Sequence, residues 1–196
     1  FTTAAGMVAI TEKSLKQNFG CSLDGSNVVI LGGTGPVGVA SAVICAKAGA
    51  NVILIGRNIE KVGKVAGICN DRYESKNVKP GADADKSEYF KIADIVLNTG
   101  AAGIQLMTEE HIKNSDTLKI CADTNAVPPA GIAGVDVMDN AKLIETSPSK
   151  CLGIGALAIG NIKYKAQHEC LKLMYTSEKP VYLDFEDAFK FAQQSV

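Results

Sequence analysis

The chain has 196 residues, 46% of them hydrophobic and 21% charged, and a formal charge of −1. That length suffices for one sizeable core, and the apolar content excludes a disordered or fibrous chain. Its 20 basic and 21 acidic residues are interspersed, so no one-sided field draws it to nucleic acid or an anionic membrane, and a small specific ligand is the expected partner.

No apolar run reaches the roughly 18 to 20 residues of a bilayer span. The opening "FTTAAGMVAITEK" has no basic flank ahead of a signal-like core, and a cytoplasmic protein is expected. Cys21, Cys45, Cys69, Cys121, Cys151 and Cys170 form no C-x-x-C pair, and His111 and His168 lie far from them in sequence. Most of these cysteines fall inside apolar runs, which predicts buried structural thiols in a reducing compartment and no metal site. Both histidines read as surface or core residues rather than catalysts.

In chain order, residues 1 to 18 read as an amphipathic helix, followed by the turn-rich "GCSLDGSN". The leading helix and the start at Phe1 without Met point to a connection with something N-terminal. "NVVIL" (27 to 31), "NVILI" (51 to 55), "DIVLN" (94 to 98), "LKICA" (118 to 122) and "CLGIG" (151 to 155) are short and continuously apolar, as strands covered on both faces must be. Between them lie helical stretches at 36 to 48, 59 to 73, 84 to 92 and about 104 to 114, where "TEEH" supplies a capped start within the run. A long helix over 156 to 177 and a short one over 184 to 194, opened by Asp184 as N-cap, complete the chain. Right-handed crossovers between such strands give an α/β fold with a doubly wound, mainly parallel sheet of the Rossmann type, preceded by a connector helix.

Gly33, Gly35 and Gly38 match G-x-G-x-x-G directly after a strand and at the start of a helix, the context in which this spacing holds a dinucleotide. The first glycine serves the tight turn, the second admits a pyrophosphate, and the third lets helix and strand pack closely. Free N–H groups at the helix start face the anion. Thr34 and Val37 belong to the same turn, and Pro36 fits as an early helical residue whose missing N–H costs nothing. After the second strand, "GRN" puts Arg57 and Asn58 where an acid would bind a ribose 2′-hydroxyl. A guanidinium there favours a 2′-phosphate, so NADP is the expected cofactor. Lys61, one helical turn further, adds charge, whereas Lys64 reads as a solvated surface residue. Asn98, Thr99, Gly100 and Ala101, after the fourth strand, are placed to let a nicotinamide and its ribose approach backbone. Asp123 and Asn125, ahead of the rigid pair Pro128 and Pro129, are compact polar groups suited either to a ligand edge or to their own loop backbone.

"LGGTGPVG" (31 to 38), "LIGRN" (54 to 58), "NTGAAGIQLM" (98 to 107), "ADTNAVPPAGIAGVD" (122 to 136) and "GIGALAIGNIKYKAQHECL" (153 to 171) together closely resemble the NADP-dependent methylene-tetrahydromethanopterin dehydrogenases, in order and over nearly the whole chain. The resemblance implies hydride transfer between a methylene-tetrahydropterin and NADP, with tetrahydromethanopterin or a related pterin as substrate. It also implies a smaller N-terminal domain that closes the pterin cleft. On that reading residues 1 to 20 are a connector from an N-terminal substrate domain that is missing or truncated, 21 to 178 the NADP-binding domain, and 179 to 196 a helix packing back toward the connector. Asp123, Asn125 and Lys163 are the substrate-orienting candidates, Lys163 through the "GNIKYK" stretch. A homo-oligomer is expected, with no nucleic-acid or membrane partner. Two other readings stay open: a methylene-tetrahydrofolate or shikimate-type NADP dehydrogenase, and an NADP-binding module without catalysis.

Overall fold

Seven strands make one sheet in the computed structural model, which describes residues 1–196. They are β1 (Asn27–Leu31), β2 (Asn51–Gly56), β3 (Val78–Ala82), β4 (Ile95–Asn98), β5 (Ile120–Asp123), β6 (Asn140–Leu143) and β7 (Leu152–Ile154), in the spatial order β3-β2-β1-β4-β5-β7-β6. Every adjacent pair is parallel except β6 with β7. The strand order reverses between β1 and β4, and in a doubly wound sheet the crevice outside the carboxyl ends at that point takes the ligand.

The helices are α1 (Thr2–Phe19), α2 (Pro36–Lys47), α3 (Ile59–Tyr73), α4 (Lys86–Ile92), α5 (Glu109–Lys113), α6 (Ala156–Thr176) and α7 (Phe185–Ser195). Alternate strand residues part to the two faces of the sheet. Val28 and Ile30 join the core built with α1, α2, α3, α6 and α7. Val29 and Leu31 join the smaller core of Phe90 from α4, Ile112 from α5 and the loop residues Met107, Ile132 and Val135. Because both faces are covered, β1, β4 and β5 need apolar side chains at nearly every position.

Three expectations are corrected. The sheet has two strands more than the apolar runs indicate. "VKPGA" and "NAKL" lie at its edges, where one side needs no partner and Pro, Gly and polar residues are tolerated. Ala141 takes a left-handed φ of 56° at an irregularity in the β6–β7 register. The helix read over 104 to 114 shrinks to Glu109–Lys113. Leu106 and Met107 instead donate N–H groups to Gly131 O, and Met107 bridges Ile132, because tertiary pairing with that loop outcompetes local helix. Finally, α1 is not amphipathic along its first half. Ala4 through Thr11 are all buried, and the helix sits among α2, α6 and α7 as part of the main core. No helix is long and apolar enough to cross a membrane. The six cysteines are unpaired, and all but Cys21 are buried; burial pushes the Cys45 thiol up to about 12.

Candidate functional site

The loop from β1 into α2 is built by backbone constraints. Gly32 has φ +67°, and a Cβ there would stand 2.6 Å from both Cα and N of Gly100. The turn and the β4 loop therefore touch through two glycines. The left-handed turn position is Gly32, one residue ahead of the motif glycines and missed in reading the sequence. Gly33 keeps the turn close for a different reason. Its Cβ would meet Leu54 Cδ2 at 2.6 Å, and a Cβ on Gly38 would meet Gly33 Cα at 2.7 Å. Gly35 differs again, since a side chain there would find nothing nearer than Gly32 O at 3.6 Å. Protein packing does not demand glycine at 35, which leaves this face of the turn open. Pro36 opens α2, and the N–H groups of Thr34, Val37 and Gly38 donate to no protein acceptor. Three unpartnered donors at the positive end of a helix form an anion cradle. A pyrophosphate fits them.

At the end of β2, the Cβ position of Gly56 lies 3.5 Å from Thr34 Cγ2, which brings the next residue, Arg57, beside the turn. Arg57 is exposed and engages no carboxylate. Asn58 is the N-cap of α3, its Oδ1 accepting from Lys61 N at 3.0 Å, which leaves its amide NH2 free to donate. Lys61 and Lys64 are exposed on the same helix. Arg57, the Asn58 amide and Lys61 thus form a basic corner at one end of the cradle.

The other end is made by the loops after β4 and β5. Thr99 donates both its N–H (2.9 Å) and its hydroxyl (2.8 Å) to Leu31 O. Its side chain is spent on tying β4 to β1, so Thr99 presents backbone to the crevice. Gly100 N donates to Asn98 Oδ1 at 3.0 Å, and Ala101 is exposed. Asp123 is 2% exposed and accepts from Asn98 Nδ2, Asn125 N and Ile132 N. Asn125 Oδ1 accepts from Gly103 N and Val127 N, and its amide donates to Pro129 O. Of the two uses the sequence leaves open for these residues, a ligand edge or their own loop backbone, the hydrogen bonds of this structure display the second. The peptide bond between Pro128 and Pro129 is cis. Around it Asn125, Val127, Pro128, Val135 and Val137 line a shallow depression of about 190 Å³.

The crevice therefore gathers Gly33 to Gly38, Arg57, Asn58, Lys61, Thr99 to Ala101, Asp123 and Asn125. Lys163 is not among them. It stands on the third turn of α6, about 10 Å along the axis from the helix start. Its backbone N lies 2.8 Å from where a Cβ on Gly6 of α1 would be. Of the histidines, His168 lies on exposed α6 surface beside Glu169. His111 caps α5 and meets Ser87 Oγ at 3.1 Å. Reading the sequence also missed Gly131. It packs against Asn98 and Asp123 and is betrayed only by the glycine-rich "AGIAG".

The chain matches no protein-family model. It is 40% identical over 198 residues to the NAD(P)-dependent methylenetetrahydromethanopterin dehydrogenase of Methylorubrum extorquens, an alignment covering 98% of this chain and 65% of that protein. It is 36% identical over 195 residues to the bifunctional protein MdtA of the same organism, again over 98% of this chain and 65% of the relative. The chain thus spans 65% of the length of the curated relatives it matches. Among solved structures, quinate dehydrogenase from Corynebacterium glutamicum in complex with NAD superposes with a TM-score of 0.62 at 16% identity, over 100% of this chain and 62% of that one. Shikimate dehydrogenase from Mycobacterium tuberculosis gives 0.56 at 15% identity, over 97% and 62%. By fold the chain is a Rossmann-type domain of the kind dehydrogenases carry, and by sequence it is a relative of the methylenetetrahydromethanopterin dehydrogenases across 98% of its length.

Proposed function

We propose that the chain is the cofactor-binding part of an NADP-dependent oxidoreductase that exchanges a hydride between methylene-tetrahydromethanopterin and NADP, yielding the methenyl form and NADPH. The observation that carries this reading is the 40% identity along 98% of the chain. The fold likeness to quinate and shikimate dehydrogenases, at 16% and 15% identity, speaks for architecture and not for substrate.

The residues present fit the cofactor. The unpartnered N–H groups of Thr34, Val37 and Gly38 receive the pyrophosphate, and Gly33, Gly35 and Pro36 keep its approach open. Arg57, with the Asn58 amide and Lys61, meets the 2′-phosphate. Thr99, Gly100 and Ala101 supply the backbone wall for the nicotinamide ring, which when bound accepts or donates the hydride. Asp123 and Asn125 shape the loop on which the pterin rests. Lys163, set back along α6, is assigned the pterin's glutamate-like tail. Residues 1 to 20 act as the connector to a substrate domain, residues 21 to 178 as the NADP domain, and residues 179 to 196 as the segment returning to the connector. The working state is a homo-oligomer in the cytoplasm.

The reaction asks little acid or base chemistry of the protein. Loss of hydride from the methylene carbon leaves a cation stabilised by the neighbouring nitrogen lone pairs, and no proton needs removing. The chain's own work is orientation and exclusion of water, in keeping with a crevice that holds no nucleophile and base pair.

The test is a spectrophotometric assay with methylene-tetrahydromethanopterin, methylene-tetrahydrofolate and shikimate as rival substrates. NADP reduction is expected with the pterins, methanopterin first; turnover with shikimate alone overturns the assignment. In the same assay Arg57→Ala should weaken NADP by roughly 10-fold to 100-fold, the 1.5 to 3 kcal/mol typical of a hydrogen bond to a charged group. NAD, which lacks the phosphate, should be almost unchanged. Arg57→Asp should go further and favour NAD. An unaltered NADP to NAD ratio in Arg57→Ala would assign the phosphate to Lys61 instead.

A further inference from the structure

Asp123 is a buried carboxylate without a cation. Its Oδ1 accepts from Asn98 Nδ2 at 2.8 Å and Asn125 N at 2.9 Å, and its Oδ2 accepts from Ile132 N at 3.0 Å. Burying a charge is costly unless donors surround it, and here the donors come from the end of β4 and from two points in the loop that follows β5. Two of its partners carry the connection further. Asn98, itself fully buried, accepts from Gly100 N at 3.0 Å, and Asn125 accepts from Gly103 N at 3.2 Å and Val127 N at 3.0 Å. At this end the loop after β4 is thereby tied to the loop after β5 through the Asp123 carboxylate, while the bonds of Leu106 and Met107 to Gly131 O join the two loops further along. The seat is shaped for it, since a Cβ on Gly131 would fall 1.8 Å from Asn98 Nδ2. An asparagine at 123 cannot fill the role, because one of its two terminal atoms donates and would face an N–H.

We propose that Asp123 is a positioning residue that sets the spacing between the β4 loop and the β5 loop. On the proposed reaction, on which this inference rests, these are the walls for the nicotinamide and for the pterin. Asp123 touches neither ring. It fixes the distance and angle at which hydride passes, a quantity to which rate is far more sensitive than affinity.

The experiment uses Asp123→Asn in the full chain, with three readouts. Titration with NADP should give a Kd within about threefold of wild type, because the phosphate cradle is untouched. Single-turnover hydride transfer with methylene-tetrahydromethanopterin should slow roughly 10-fold to 100-fold with little change in the pterin KM. Amide hydrogen exchange should quicken at Gly100, Gly103 and Val127 and stay the same in α7. The exchange readout needs no turnover, so a wild type inactive on the pterin would remove the proposed reaction while exchange still decides whether Asp123 fastens the loops. Unchanged exchange at those three amides overturns the inference. So does NADP affinity falling in step with the hydride-transfer rate. Should Asp123→Asn fail to fold, Gly131→Ala displaces the Asn98 amide and crowds Asp123 Oδ1 while removing none of the three donors to the carboxylate. The same split, smaller, is expected of it, and a wild-type rate in that folded variant counts against the proposal.

Discussion

Glycine 35 and glycine 32 are three residues apart and absent of side chain for opposite reasons. At Gly32 the left-handed φ and the 2.6 Å approach to Gly100 make any Cβ a collision with backbone. Gly32→Ala should cost about 2 to 4 kcal/mol of folding stability, from conformational strain and from forcing two loops apart. At Gly35 the backbone is extended, with φ −81°, and a Cβ meets ordinary contact only. Gly35→Ala should therefore shift stability by less than about 0.5 kcal/mol. On the proposed reading it should nevertheless weaken NADP by about 10-fold or more, because the methyl would stand where the pyrophosphate is proposed to come down on α2. Denaturant unfolding and NADP titration on the two variants check this. Equal affinity in Gly35→Ala and wild type would mean that the anion does not sit on this turn.

At the scale of elements, the short α5 depends on one ring. His111 Nδ1 accepts from Thr108 N at 3.0 Å, closing the capping box, so the proton of the neutral ring sits on Nε2 and faces Ser87 on α4. Burial, and secondly the nearby Lys86 ammonium, hold the His111 pKa below the ordinary histidine value of 6.5. The folded protein thus refuses a proton that the unfolded chain accepts between the lowered value and 6.5. Stability from this group is complete above the unfolded value and falls as pH drops through that window toward the folded one. Protonation also removes the Nδ1 acceptor and with it the cap. Between about pH 7.5 and about pH 5 the wild type should lose more stability than His111→Gln, which has no titrating ring. Parallel pH profiles for the two proteins would retire this account.

For the whole molecule, the leading helix is the least expected part of the packing. α1 crosses α6 so closely that a Cβ on Gly6 would lie 2.8 Å from Lys163 N and 3.1 Å from Ile159 O, backbone against backbone. Contacts with α7 add the Gln193 amide donating to Glu12 at 2.7 Å, and α7 in turn is held to α2 by the Lys47–Glu186 ion pair. The helices over one face of the sheet pack with it around one core, and the proposed nucleotide crevice lies at the strand ends, away from the Gly6 contact. Gly6→Ala should destabilise by about 1 to 3 kcal/mol, a fall of several degrees in Tm. NADP affinity measured below the transition should be unmoved. A Tm equal to wild type would show that α1 is not docked as described.

What the sequence determined by itself was local or periodic. Continuous apolar runs announced strands covered on both faces, glycine spacing announced the turn into α2, and Asp184 announced α7, because each signal lies within a few residues of the structure it directs. The tertiary structure decided everything that depends on a distant partner. Edge strands β3 and β6 carry little apolar signal, since one side of each meets no neighbour. Residues 104 to 107 pair with the loop at 131 to 132 although their local sequence suits helix. The first half of α1 is buried all round because three other helices close on it. In one dimension Asp123 suited either a ligand edge or its own loop backbone. Only folding brings Asn98, 25 residues upstream, and Ile132, 9 downstream, onto its two oxygens. A carboxylate announces that it will find donors; which donors is settled by chain topology, and no window of neighbouring residues contains that information.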